Sequence, residues 1–202
     1  MTTSDHYIFP YPRGILLPLL RLPIYLYRAG MTVILDIMHV MILTTHGRRS
    51  GTPRYTPIEY RRHGSKIYVI SAWGKETHWY KNLCENSGVT LALNGRVVPA
   101  RATPVTSESE SLLVLHLFRR PNPLVYDAIL ARLGRAHMLD VRTLPDISNQ
   151  YTIVRFDIQP GEPELPAPPD DLRWLPFGAG FALVLFAAVW AVVLIGRAKE
   201  QR

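Results

Sequence analysis

Two residues, Asn94 and Gly95, separate two short runs of strand-forming side chains, Val89 to Leu93 and Arg96 to Ala102. A two-residue connection leaves no room for a crossover, so the runs must pair as an antiparallel hairpin. Asn-Gly is also the dipeptide that best tolerates the positive φ angles of a type I′ turn. Four more runs read the same way: Met38 to Thr45, Tyr55 to Tyr60, Lys66 to Ser71 and Tyr151 to Ile158, with His63-Gly64-Ser65 as a second hairpin turn. Helical patterns interrupt them at Thr77 to Glu85, at Ser107 to Leu117 and at Leu124 to Leu139; the second opens on a capping-box pattern, Ser107 to Glu110. Six short strands with a few helices predict a mainly β (α+β) domain over 38–158, a small antiparallel barrel with flanking helices.

The two ends of the chain read differently. From Leu175 to Gly196 there is no charged residue, and a helix of that length spans roughly 30 Å, the thickness of a hydrocarbon core. Trp174 stands at one boundary, and Arg197, Lys199 and Arg202 lie in the basic tail, 197–202, beyond the other, so 175–196 is expected to be a transmembrane helix. Gln159 to Pro169 is proline-rich, and 159–174 is expected to be an extended linker between barrel and anchor. At the other end, 1–37 is apolar with interspersed Arg13, Arg21 and Arg28. It reads either as an interfacial helix on anionic lipid or as a helix packed across the barrel. No signal-peptide pattern opens the chain. The expected location is the cell membrane, single-pass, with the barrel in the cytoplasm.

The formal net charge of +7 admits three partners: nucleic acid, an anionic membrane surface or a strongly anionic ligand. The basic residues are dispersed or gathered in one tight turn, without the aromatic platforms of single-strand binders, so no nucleic-acid partner is expected. One cysteine, Cys84, allows no internal disulfide, and the histidines show no metal-ligand spacing, so no metal is expected. The concentrated chemistry lies in LTTHGRRSGTPRYTP, Leu43 to Pro57. There Arg48, Arg49 and Arg54 cluster with Ser50 and Thr52 around Gly47 and Gly51. Such a turn is either a solvated bend or a site for phosphate or carboxylate, which arginine holds in bidentate fashion. It ends neither as a Walker A loop nor as a dinucleotide turn.

The order T-T-x-G-R-R-S-G-x-P-R-x-x-P, then Ser71-Ala72-Trp73-Gly74, then Trp79-Tyr80-Lys81-Asn82-Leu83 and the strand Val89 to Leu93, resembles the deazaflavin-dependent nitroreductase family. The resemblance is good from Thr44 to Ala102 and weaker to Ile158. It implies a flavin-binding type of split β-barrel and coenzyme F420, a 5-deazaflavin with a phosphate and a poly-γ-glutamate tail; FMN is the alternative cofactor. On this resemblance Arg48, Arg49 and Ser50, with Gly51 and Thr52 of the same turn, would hold phosphate and tail. Arg54, Thr56 and Pro57 would run beside the cofactor, and Ser71, Ala72, Trp73 and Gly74 would face its ring. Many members carry Ser-Lys where this chain has Ala72-Trp73, and an indole stacks on a ring without supplying a lysine's charge. The implied reaction is hydride transfer from reduced deazaflavin to an electron-poor acceptor, with Tyr80 and Ser71 as candidate proton donors. A membrane anchor suggests a lipid-soluble acceptor such as a quinone; a nitro compound is the other class. Split barrels often form homodimers, and the rival reading is a barrel that holds a flavin, haem or lipid without turnover.

Overall fold

The structure, a computed structural model, describes residues 16–71, 73–121 and 152–175. Seven strands form one antiparallel sheet: β1 (Val40–His46), β2 (Pro53–Glu59), β3 (Arg61–His63), β4 (Lys66–Ser71), β5 (Gly88–Leu93), β6 (Arg96–Pro104) and β7 (Thr152–Ile158). Their order is β2-β1-β5-β6-β7-β4-β3. The two edge strands, β2 and β3, are joined through Tyr60 alone. Because consecutive Cα atoms are only about 3.8 Å apart, a sheet whose edges are linked by one residue must curl until those edges meet. The segment from Pro53 to His63 is thus one bent strand that pairs with β1 before Tyr60 and with β4 after it. The six expected strands are all present, and Arg61–His63 is the continuation that closes the ring. This curled sheet with flanking helices fits a split-barrel-like fold.

Side chains alternate along each strand, and the alternation sorts the core into three. Met41, Leu43, Ile67, Val69, Leu91, Val154 and Phe156 point inward and are wholly buried. One end of that interior is plugged by α4 (His78–Glu85) through Trp79, Tyr80 and Leu83. On the outer face, Tyr68 and Ile153 are covered by Val114 and Phe118 of α5 (Glu108–Arg119). Elsewhere on the outside, Ile42 and Ala92 are covered by Ile24 and Tyr27 of α2 (Leu22–Arg28), which follows α1 (Leu16–Leu20), and by Leu35 of α3 (Thr32–Ile37). Each of these large apolar side chains stabilises the fold by about 1.5–3 kcal/mol relative to exposure. Strands β1 and β4 are therefore buried on both faces, which is why VMILTTH and KIYVIS read as apolar runs rather than alternations.

The hairpin at Asn94-Gly95 has the expected backbone, with φ of +50° and +66°. The capping box does not form. Ser107 stands at the start of α5, but its hydroxyl meets Ser109, and Glu110 reaches across to Tyr68 and Arg155 instead. A carboxylate gains more from a guanidinium and a phenol than from one backbone N–H.

The proline-rich stretch after β7 lies along the barrel as a strap. Thr90 Oγ1 donates to the Leu165 carbonyl at 2.9 Å, Leu165 is buried, and Ala167 packs on the cluster around Ile42. Prolines lack the N–H that a ladder needs, yet their carbonyls and flanking apolar side chains remain able to dock. The strap ends in a clasp on α2: Arg28 Nε and Nη2 donate to the Asp171 carboxylate at 2.8 and 2.6 Å, and Leu172 N donates to the Arg28 carbonyl. The expected helix at Leu124 to Leu139, the charge-free segment beyond Leu175 and the basic tail lie outside the described residues. Among the described residues no helix is long and apolar enough to cross a membrane.

Candidate functional site

The turn between β1 and β2 is a closed loop of backbone bonds. Gly47 N donates to the Thr52 carbonyl at 2.9 Å, while Ser50 N and Gly51 N both donate to the Gly47 carbonyl. Glycine is required at both ends for different reasons. A Cβ on Gly47 would sit 3.0 Å from Ser50 Oγ and from the Thr52 carbonyl, whereas Gly51 has open space but a φ of +67°. The hydroxyls of Ser50 and Thr52 are 2.7 Å apart, and Arg54 Nη2 donates to Ser50 Oγ at 3.3 Å. Three side chains, Ser50, Thr52 and Arg54, are thereby drawn together at the strand ends.

Helix α4 fixes the turn from below. Asn82, buried at 4% exposure, donates through Nδ2 to Thr45 Oγ1 at 3.0 Å. Its Oδ1 accepts from both the backbone N and Nη1 of Arg48 at 3.3 Å. One turn earlier on the same helix face, His78 Nδ1 accepts long bonds of 3.4–3.5 Å from the Arg48 guanidinium in the tautomer protonated at Nε2. Arg48 is thus aimed by neutral acceptors alone. Among the described residues, neither Arg48, Arg49 nor Arg54 forms an ion pair with a carboxylate. Three guanidinium groups without counter-charges on one turn form a site ready for an anion.

That turn opens onto a cleft of about 770 Å³. Arg48, Arg49, Ser50, Arg54, Thr56, Pro57, Ser71 and Trp73 all line it. Gly51 and Thr52 complete the turn's backbone without lining the cleft, and Gly74, at φ +58°, does not line it either, although its carbonyl accepts from Ser71, which does. Ala72 lies outside the described residues. Ser71 is 2% exposed and its hydroxyl donates to the Gly74 carbonyl at 2.8 Å, so its proton is committed to the protein. Tyr80 is not brought to the cleft: it is packed in the barrel interior. Burial first, then the neighbouring Cys84, raises its pKa.

The cleft also contains residues outside the sequence-predicted site. His78, Trp79 and Asn82 belong to it, and so do Ile58 and Ile70 from β2 and β4. The i, i+4 spacing of His78 and Asn82 was the available signal, since it puts both on one helix face. Leu20 and Arg21 come from the N-terminal helices, and no local pattern announces that a distant segment forms a rim. The cleft therefore runs from a basic turn to a wall of Ile58, Ile70, Trp73 and Trp79. The volume suits a cofactor-sized ligand, and the donor set suits one that is anionic at one end and aromatic at the other.

A family model described as F420H(2)-dependent quinone reductase matches residues 22–139, more than half of the chain. Among solved structures, the chain is similar to one described as an F420-H2 dependent reductase (FDR-A), at 20% identity over 60% of this chain and 94% of that one, with a TM-score of 0.43. It is also similar to a putative 5-nitroimidazole antibiotic resistance protein from Bacteroides thetaiotaomicron, at 10% identity over 66% and 80%, TM-score 0.44. A third is HutZ, the heme storage protein from Vibrio cholerae, at 13% identity over 70% and 92%, TM-score 0.43. With the anion-ready turn and every cleft-lining residue but Leu20 and Arg21 falling inside the matched residues, the chain belongs to the F420H(2)-dependent quinone reductase family, as an oxidoreductase that uses coenzyme F420.

Proposed function

We propose that this protein is a membrane-anchored reductase that passes a hydride from reduced coenzyme F420 to a lipid-soluble quinone. The observation that carries this reading is the cleft itself, in which three arginines without carboxylate partners among the described residues share one cavity with Ile58, Ile70 and Trp73. Arg48, Arg49 and Ser50 would take the phosphate and the first carboxylates of the tail, Arg54 would follow along β2, and Thr56 and Pro57 would flank the ring's approach. Trp73 and Ile70 supply a flat apolar wall for the ring and for a quinone stacked on it. When bound, the reduced deazaflavin supplies the hydride; the chain's own residues bind, orient and exclude water. No described cleft residue is assigned as an acid, because the Ser71 hydroxyl is already engaged with Gly74. Water at the mouth then delivers the proton that completes the quinol.

The charge-free segment 175–196 supports the anchor, and the strap and clasp bring its first residue to the barrel's side. A barrel on the cytoplasmic face is the orientation proposed, and a homodimer across the cleft is compatible with the family. The test is fluorescence titration of the full chain with coenzyme F420 and, separately, with FMN, followed by F420H2 oxidation with a quinone and with a nitroaromatic. Tight F420 binding and quinone turnover are expected. Binding without turnover of any acceptor would reduce the protein to a carrier, and turnover of the nitroaromatic alone would replace the acceptor.

A further inference from the structure

The N-terminal helices have inverted polarity. Asp36, the one acid of α3, points to the barrel and its carboxylate accepts the Asn94 N–H at 2.8 Å. Leu35 is buried on the same side. The outward face of α3 instead carries Val33, Ile34 and Ile37, 67%, 36% and 73% exposed. Helix α2 repeats the arrangement, with Ile24 and Tyr27 on the barrel and Leu22 and Tyr25 turned out. A helix that is apolar on both sides is one that is covered on both sides.

These residues are part of one concentration. Of thirteen large hydrophobic side chains exposed among the described residues, ten lie in 19–38 or are Trp174 and Leu175. The clasp explains why those two stretches coincide: Asp171 and Leu172 are bonded to Arg28, and Arg173 lies over Gly30. The 21 residues that follow Leu175, up to Gly196, contain no charge and start from this face. Arg21 is exposed at the same place, and it lines the mouth of the cleft beside Leu20. An apolar face with a guanidinium at its margin, next to the root of a membrane-length segment, has the chemistry of an anionic bilayer surface.

We infer that α1–α3, with Trp174 and Leu175, form a seat that lies in the interface of the bilayer, and that the cleft mouth at Leu20 and Arg21 opens onto it. The seat lies on the membrane rather than through it, in keeping with the shortness of its helices. Its use as an entry route rests on the proposed lipid-soluble acceptor: such a molecule would pass from the bilayer to the Trp73 wall without crossing water.

The full chain in vesicles of phosphatidylcholine and phosphatidylglycerol provides the test. An environment-sensitive dye is attached at Leu22→Cys, Ile37→Cys or, as control on α5, Leu113→Cys, in a Cys84→Ser background because Cys84 is exposed. Nitroxide-labelled lipid should quench the dye at 22 and 37 and leave that at 113 bright. Absence of quenching at 22 and 37 overturns the seat, as does shielding that appears without lipid and grows with protein concentration, which would make the face a contact between copies. Leu22→Glu/Ile37→Glu should lower turnover of an isoprenoid quinone about tenfold while sparing a water-soluble benzoquinone. An equal loss for both quinones would overturn the entry route. If no quinone is reduced but the quenching pattern holds, the acceptor assignment falls and the seat remains.

Discussion

Arginine is used in two opposite ways on this barrel. Beneath α5, Arg155 donates to both oxygens of Glu110 at 3.0 and 3.2 Å and to Asp157 at 2.9 Å, and Tyr68 donates to Glu110 at 2.8 Å. Every charge there is answered. Burial works to raise the pKa of Glu110, but the bonds from Arg155 and Tyr68 outweigh it and hold the carboxyl below its ordinary range. Burial, then the bond to Glu110, pushes Tyr68 up to about 12. At the β1–β2 turn, Arg48 leans on an amide and an imidazole, and among the described residues Arg49 and Arg54 pair with no carboxylate. A closed network serves the fold, whereas a cluster held open by neutral partners is charge kept for a ligand.

The sharpest way to break the comparison is to remove one cluster and measure both properties. Arg48→Ala/Arg49→Ala should weaken F420 binding about a hundredfold or more, since hydrogen bonds to charged groups contribute about 1.5–3 kcal/mol each. The same variant should unfold at the parent's denaturant midpoint. A loss of affinity below about threefold, with charge-assisted bonds at stake, would remove the turn from the site.

Glu110→Ala should do the converse. It strands the Tyr68 hydroxyl and removes one of two carboxylates from Arg155, for a cost of about 2–3 kcal/mol in chemical denaturation, with F420 affinity unchanged. The pH dependence has a definite sign. Glu110 has a depressed folded pKa, so its contribution is complete above the unfolded value of about 4.3 and fades as pH falls through the lower folded one. Tyr68 has a raised pKa, so its contribution is complete below 10.0 and is lost as pH rises through about 12. Glu110→Gln should flatten the acid limb of the stability profile; an unaltered acid limb would mean the network is not what holds that face.

How far each region was legible in the sequence follows from how local its interactions are. Asn94-Gly95, the strand runs and α4 are dictated by neighbours in the chain, and they stand where the side-chain patterns put them to within a few residues. The arginine turn was legible too, because Gly47, Gly51 and the three arginines act within eight residues of one another. What was not legible depends on distant partners. Glu110 reads as half of a capping box until Arg155 and Tyr68 arrive from β7 and β4 to take it. Asn82 and His78 read as ordinary helix residues until β1 brings Arg48 over them. Tyr80 reads as a hydroxyl beside the motif, but the rotation of α4 turns it inward. The strap reads as a loose linker because prolines announce extended chain and say nothing of what it lies against.

A smaller and more pointed change makes the open cluster resemble the closed one. Asn82→Asp keeps an oxygen in place for the Arg48 backbone and guanidinium but adds a negative charge to it. Arg48 is then neutralised as Arg155 is, and F420 affinity should fall about tenfold, roughly 1.4 kcal/mol, although the turn gains an ion pair. Asn82→Ala, which loosens the turn without neutralising it, should cost less affinity at high F420 charge and more stability. Equal affinities for the parent and the Asp variant would show that Arg48 does not meet the ligand.

The smallest effect is expected at a third arginine, Arg28, whose bidentate pair with Asp171 has the shortest distances of the clasp but lies on the surface. Good distances alone would rank it with Arg155. Water does not allow that ranking: an exposed pair exchanges solvation for contact with little net gain, and salt screens what remains. Arg28→Ala should therefore leave the global denaturation midpoint in place. The clasp still has a local duty, because the Leu172 N–H donates to the Arg28 carbonyl and, among the described residues, the strap's end is held by few other bonds. Hydrogen exchange at Leu172 should accelerate in the variant while the amides of β1 and β5 stay protected, a local opening separated from global unfolding. Acceleration across β1 and β5 as well would mean that the strap is part of the barrel's cooperative unit, and that the clasp belongs with the closed network rather than apart from both clusters.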